Sequence, residues 1–150
     1  MDFQCIEALL ELPACRATGQ MIRSHGLELP LERRKTSLVC PRCQGYCSRI
    51  KEGRDRCIRD LPILDRPVTL RLHIRRFECS DCHYRPWEKS ETFGDRVQWT
   101  ERLYDQGREE CLHGCPCPEL ACRYGLSART VCRWTFEKSR GGRPRQLGRA

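Results

Sequence analysis

Four cysteines in two pairs, Cys40-Pro-Arg-Cys43 and Cys79-Ser-Asp-Cys82, are the residues of this 150-residue chain whose types and spacing most directly specify chemistry. Each pair sets two thiols about one tight turn apart, close enough for both sulfurs to reach one ion. Two pairs complete a tetrahedral four-thiolate shell for Zn²⁺. A closed shell leaves no position for water or substrate, so the metal is structural and no enzyme activity is expected. The rival readings are a disulfide framework and a pair of redox motifs. Disulfides need an oxidising compartment, and the N-terminus Met-Asp-Phe-Gln-Cys-Ile-Glu has acidic residues and no apolar core of a secretory signal. A thiol oxidoreductase needs one Cys-x-x-Cys at a helix N-terminus in a βαβ setting, and neither pair has that context. Cys47, Cys57 and His83 lie nearby, but a filled tetrahedral site has no room for a fifth donor.

The stretch between the pairs must bring them together. Val68, Leu70, Leu72 and Ile74 alternate with Thr69, Arg71, His73 and Arg75, the period of a strand with one buried and one basic face. Arg71 and Arg75 on that face serve either as phosphate contacts or as a screen for the negative zinc–thiolate cluster. Arg76-Phe77 breaks the phase, predicting a bulge that turns the chain toward Cys79. Residues 56–60 are the expected partner strand, and residues 61–67, with Pro62 and Pro67, the connection. Upstream, Phe3, Ile6, Leu9 and Leu10 form a helical stripe ended by Pro13. Residues 20–23 and 27–32 then read as a hairpin joined by Ser-His-Gly, with Leu27, Leu29 and Leu31 on one face.

From Thr100 the pattern is helical. Thr100 is the expected N-cap, Leu103, Tyr104, Gly107 and Cys111 form one stripe, and Gly114 closes the segment. Pro118 suits the first turn of a second helix over 119–124, ended by Gly125. Ala121, Gly125 and Val131 stand in the 5, 9, 15 relation of a helix-turn-helix, with Leu120, Tyr124, Leu126 and Trp134 at neighbouring core positions. Ser127 would cap a recognition helix over 128–139, leaving Ser127, Ala128, Arg129, Thr130, Cys132 and Arg133 outward. Cys111, His113, Cys115, Cys117 and Cys122 invite a second metal site. The extended geometry of Cys-Pro-Cys and a core-side placement of Cys122 argue instead for free thiols. In the tail, Gly142-Arg143-Pro144-Arg145 resembles an AT-hook, an extended basic segment suited to phosphates or a narrow minor groove, and an interdomain linker fits it equally.

Charge follows the same division. Residues 40–82 carry ten bases and six acids and residues 119–150 eight bases and two acids, whereas residues 83–118 carry five and seven. The net +8 is thus concentrated on the metal-binding stretch and the C-terminal part, as for two contacts with a polyanion. At 39% hydrophobic residues and a mean hydropathy of −0.68, one large core is excluded and metal stapling is expected. No apolar run is long enough to span a bilayer, so a soluble, intracellular protein associated with the nucleoid is expected.

Taken in order, Cys40-Pro-Arg-Cys43, Ile58-Arg-Asp-Leu-Pro62, Arg66-Pro-Val-Thr-Leu-Arg-Leu72, Arg76-Phe-Glu-Cys-x-x-Cys82, Trp99-Thr-x-Arg-Leu103 and Gly125-Leu-Ser-x-x-Thr-Val-x-Arg-Trp134 resemble the N-terminal half of ISL3-family insertion-sequence transposases. The resemblance implies a zinc-binding domain and a helix-turn-helix that recognise the ends of a mobile element, preceding an RNase H-like catalytic domain that begins near where this chain ends. The expected fold is α+β: an N-terminal helix and hairpin (1–35), a β-rich four-cysteine zinc ribbon (36–92), an all-α helix-turn-helix domain (93–140) and a basic tail (141–150). Zn²⁺ is the expected cofactor. Double-stranded DNA is the expected partner, with a second copy or other transposase subunits beside it. A stand-alone transcription regulator and a protein-interaction module remain open as alternatives. The cysteines at 111, 115, 117, 122 and 132 lie outside the resemblance.

Overall fold

A computed structural model describes residues 7, 8, 10–89, 93 and 98–139. It is an α+β structure whose elements among the described residues include β1 (Cys15–Ala17), β2 (Met21–Arg23), β3 (Gly26–Arg33), β4 (Leu38–Val39), β5 (Tyr46–Cys47), β6 (Arg49–Ile63), β7 (Arg66–Glu78), α1 (Glu101–Leu112), α2 (Cys117–Tyr124) and α3 (Ala128–Ser139). The helical stripe expected at Phe3, Ile6 and Leu9 falls outside the described residues; Leu10, its last member, is buried.

The main sheet has the order β1-β3-β7-β6, with β2 also paired to β3. The expected N-terminal hairpin is present as β2 and β3, antiparallel from Met21↔Glu28 to Arg23↔Gly26. The pairing of β3 with β7 is parallel, from Leu27↔Val68 to Glu32↔His73, and it ties the N-terminal segment to the long β6–β7 hairpin. Leu29 and Leu31 of β3, Val68, Leu70 and Leu72 of β7, and Ile58 of β6 form its apolar face. Each such side chain removed from water contributes about 1.5–3 kcal/mol, and this alternation sets the register.

Two expectations about the hairpin are corrected. The connection is not residues 61–67: β6 continues through Leu61, Pro62 and Ile63, and the turn is Leu64-Asp65, at φ 49° and 60°. Two successive left-handed residues make the tight turn whose twist matches the strands, and Pro62 is tolerated because β6 is the edge of its sheet. The bulge expected at Arg76-Phe77 lies on the partner strand opposite that pair: the register shifts between Ile50, facing Phe77, and Glu52, facing Arg76, so the extra residue is Lys51 on β6, and a second shift falls between Asp60 and Ile63. β7 runs unbroken, and Ile74 and Phe77 differ in face because they belong to separate cores, one on the sheet and one around the cysteines.

The helices attach to the outer edge of β6. Arg59 N donates to Gln98 O at 2.8 Å and Thr100 N donates to Arg59 O at 2.9 Å, so the chain runs briefly alongside β6 before α1 begins. Asp60, 1% exposed, accepts from Thr100 Oγ1 at 2.7 Å and Arg102 Nε at 2.8 Å. Two of the motifs that carry the family resemblance, around Asp60 and around Arg102, therefore meet in space. Leu103, Tyr104, Leu120, Tyr124, Val131 and Trp134 close a separate helical core.

Candidate metal centre and nucleic-acid face

The two cysteine pairs are held by turns of the same design. Cys40 N donates to Gly45 O (2.7 Å) and Gln44 N to Cys40 O (3.0 Å); Cys79 N donates to Tyr84 O (2.8 Å) and His83 N to Cys79 O (3.1 Å). Gln44 and His83, the residues after the second cysteine of each pair, take the left-handed conformation at φ 64° and 58°. The next position in the first turn is Gly45, where a Cβ would lie 2.3 Å from the Asp81 carboxylate of the opposite turn. A side chain at this position would displace the exposed Asp81 carboxylate. β4 pairs with β5 and feeds one turn, and β7 ends directly in the other.

The four sulfurs converge. Cys40 Sγ lies 3.6 Å from Cys82 Sγ and Cys43 Sγ 3.4 Å from Cys79 Sγ, and all four lie within 4.8 Å of one another. Tetrahedral zinc with Zn–S bonds of about 2.3 Å requires sulfurs about 3.8 Å apart, so the donor set fits Zn²⁺. Backbone N–H groups of Cys82 and Asp81 hold the Cys79 thiol down at about 6. Burial opposes ionisation of Cys40, but N–H groups of Cys43 and Arg42 outweigh it and leave this thiol below its ordinary value. Cys43 accepts an N–H from Gly45, yet contact with Cys79 and Cys82 pushes it up to about 12, as like groups sharing one site must. The first cysteine of each turn thus ionises more readily than the second, and a cation held among the four sulfurs would favour the thiolate form of all of them.

The neighbouring donors separate as the spacing implied. His83 is exposed and turned toward Glu78, 3.8 Å away. Cys47 is fully buried in the cysteine core beside Phe77, and burial raises its thiol to about 11. Cys57 is exposed.

Arg75 corrects the expectation of an open basic face. Its side chain is 9% exposed and gripped by Glu88, with Nε to Oε2 at 3.0 Å and Nη2 to Oε1 at 2.7 Å. Arg33 Nη1 approaches the same carboxylate at 3.5 Å. No phosphate can reach Arg75; it fixes residues 84–88 against β7, where Phe77 N donates to Pro86 O and Glu88 N to Arg75 O. Arg71 is half-buried and paired with Glu28, which also holds Arg23 at 3.2 Å. Glu28 and Glu88 were not singled out in the sequence; the one available signal was a surplus of arginine on a strand facing too few carboxylates of its own.

The helical face is built from caps. Thr100 Oγ1 accepts from Leu103 N (3.3 Å) to start α1, and Ser127 Oγ accepts from Thr130 N (3.2 Å) to start α3. Gly125 ends α2 at φ 66°, with its backbone against Pro67 and Arg59 of the hairpin. On α3, Val131 and Trp134 are fully buried, Arg129, Arg133 and Ser127 exposed, and Thr130 half-buried. Trp134 stacks edge-on against Trp99 and Tyr104, at 5.3 and 5.5 Å between centroids. Cys122 is exposed, which overturns its expected core-side placement, while Cys111, Cys115, Cys117 and Cys132 are partly buried. Arg143 and Arg145 lie outside the described residues.

No helix among the described residues is long and apolar enough to cross a membrane. No curated protein and no solved structure matches the chain. Residues 37–82, which span both cysteine turns and the hairpin between them, match the family described as the zinc-finger of transposase IS204/IS1001/IS1096/IS1165, so this stretch is similar to an ISL3 transposase zinc ribbon and its four thiols are a Zn²⁺ site.

Proposed function

We propose that this chain is the DNA-binding portion of an ISL3-like transposase and recognises a specific duplex site, the terminal inverted repeats of a mobile element. In this reading α2 and α3 are a helix-turn-helix and α3 enters the major groove. The observation that carries it is the division of α3: Val131 and Trp134 are pinned in the core while Arg129 and Arg133, one turn apart, are exposed, on a unit joined to a transposase-type ribbon. Arginine there can pair bidentately with guanine. Ser127 and Thr130, at the start of α3, suit phosphate contacts that set its register, and Arg143 and Arg145 of the tail suit phosphates or a narrow minor groove. A second copy of the chain or another transposase subunit is the expected protein partner, and the nucleoid the expected location.

The test is selection of bound duplexes from a random pool, followed by binding of variants to the selected site and to unrelated DNA. Arg129→Ala and Arg133→Ala should each cost about 1–3 kcal/mol on the selected site and little elsewhere. Arg143→Ala with Arg145→Ala should weaken both duplexes alike and flatten the salt dependence. Equal loss on both duplexes from the Arg129 and Arg133 variants would mean that α3 lies on the backbone and reads nothing. Absence of binding even at low salt would leave the ribbon as a protein-docking module.

A further inference from the structure

Among the described residues, Phe136 is the large apolar side chain on the outer face of α3. It is 72% exposed, whereas the other described phenylalanines, Phe77 and Phe93, are 0% and 5% exposed. Single apolar side chains are ordinary on a protein surface, so exposure alone assigns nothing. Position on the helix does. Val131 and Trp134, both fully buried, fix the side of α3 that faces the helical core. At about 100° per residue, Phe136 lies about 170° from their mean direction and within about 20° of Arg129, two turns earlier. The ring therefore points straight away from the core, in line with Arg129 and one turn beyond Arg133.

The surroundings select the occupant. Arg129 and Arg133 are exposed on the same side of α3 as the ring, so whatever covers this face must be anionic around one apolar spot. An apolar protein groove closing over Phe136 would have to strip water from both guanidinium groups without a partner for either. The major groove of duplex DNA meets both demands. Guanine edges and phosphates accept from arginine, and thymine presents its C5-methyl group there, an apolar contact that suits an aromatic ring.

We infer that Phe136 reads the C5-methyl group of a thymine and is a specificity-determining residue of α3. This rests on the proposed entry of α3 into the major groove, and it names the base met at the far end of the helix. Seven residues at a rise of about 1.5 Å place the ring about 10 Å along α3 from Arg129, roughly three base-pair steps of about 3.4 Å. The thymine should therefore lie about three base pairs from the guanine that Arg129 meets. Burying one methyl group against the ring corresponds to about fourfold in affinity.

The experiment uses the zinc-loaded full chain and the duplex it selects from a random pool, with each thymine replaced in turn by deoxyuridine, which lacks only the methyl group. The parent should lose about fourfold in affinity at one such position. Phe136→Ala should bind the selected duplex about fourfold more weakly and no longer distinguish thymine from deoxyuridine there, whereas Phe136→Leu, which keeps an apolar tip, should still distinguish them. Because the ring lies outside the core, the thermal midpoint should be the same in the parent and both variants. A parent indifferent to every deoxyuridine overturns the inference, as does a Phe136→Ala variant that keeps the parent's discrimination. In either case a selective loss from Arg129→Ala and Arg133→Ala would still uphold α3 as the recognition helix and leave Phe136 to a protein partner. A chain that selects no duplex overturns both readings.

Discussion

Glu110 shows how one carboxylate holds two helices. Its oxygens accept from Tyr124 Oη at 2.5 Å and Gln106 Nε2 at 3.1 Å, and it pairs with Arg123 of α2. Burial works against its charge, but these donors outweigh burial and hold it below the ordinary 4.5. A lowered carboxylate adds stability that is fully present above its unfolded value and disappears as pH falls through the folded one. Glu110→Gln should therefore cost about 1 kcal/mol near pH 7, and the gap to the parent should close as pH falls below the ordinary carboxylate value and through the lowered folded one. Urea unfolding followed by the fluorescence of Trp99 and Trp134 measures both limbs; a gap independent of pH would mean that the charge of Glu110 contributes nothing.

Among the elements, α1 contains a glycine that propensity alone would replace. A Cβ on Gly107 would lie 2.6 Å from Cζ3 of Trp134, a fully buried ring with no room to retreat. Alanine in a helix interior ordinarily gains roughly 0.5–1 kcal/mol over glycine, whereas overpacking a closed core costs about 1–3 kcal/mol. Overpacking wins, and Gly107→Ala should lower the thermal midpoint; a rise would show that Trp134 can shift. The helices were legible because their signals are local: Thr100, Ser127 and Gly125 end or begin them through bonds within a few residues. So were the cysteine turns, each complete in six residues. The parallel pairing of β3 with β7 was not, because strand partners some forty residues apart leave no local trace. The same reason hid Glu88 from Arg75, a contact made only after the chain folds back.

For the molecule as a whole, the decisive joint is Asp60 with Thr100 and Arg102. Asp60 is almost wholly enclosed, and Arg102 is the only cation shown bonded to its carboxylate among the described residues. Removing one partner of a buried pair strands the other, at about 3–5 kcal/mol, and the third-exposed Arg102 side chain places this case at the lower end. Arg102→Ala should thus destabilise by about 3 kcal/mol and also split one unfolding transition into two, because sheet and helices lose the contact that couples them. Calorimetry reads both effects, and a single transition at an unchanged midpoint would remove Asp60 as the joint.

The hairpin of β6 and β7 has the character of a ruler. From Arg49, beside the cysteine turns, to Asp60, where the helices attach, β6 advances eleven residues, which is about 36 Å of strand at roughly 3.3 Å per residue. That is close to one turn of B-form DNA, about 34 Å. A flexible linker would let two binding units adapt to sites at any interval, but a paired strand cannot stretch. Should both ends engage one duplex, they would accept a single interval, and only paired insertions of two residues in both strands could lengthen it without turning the buried face outward.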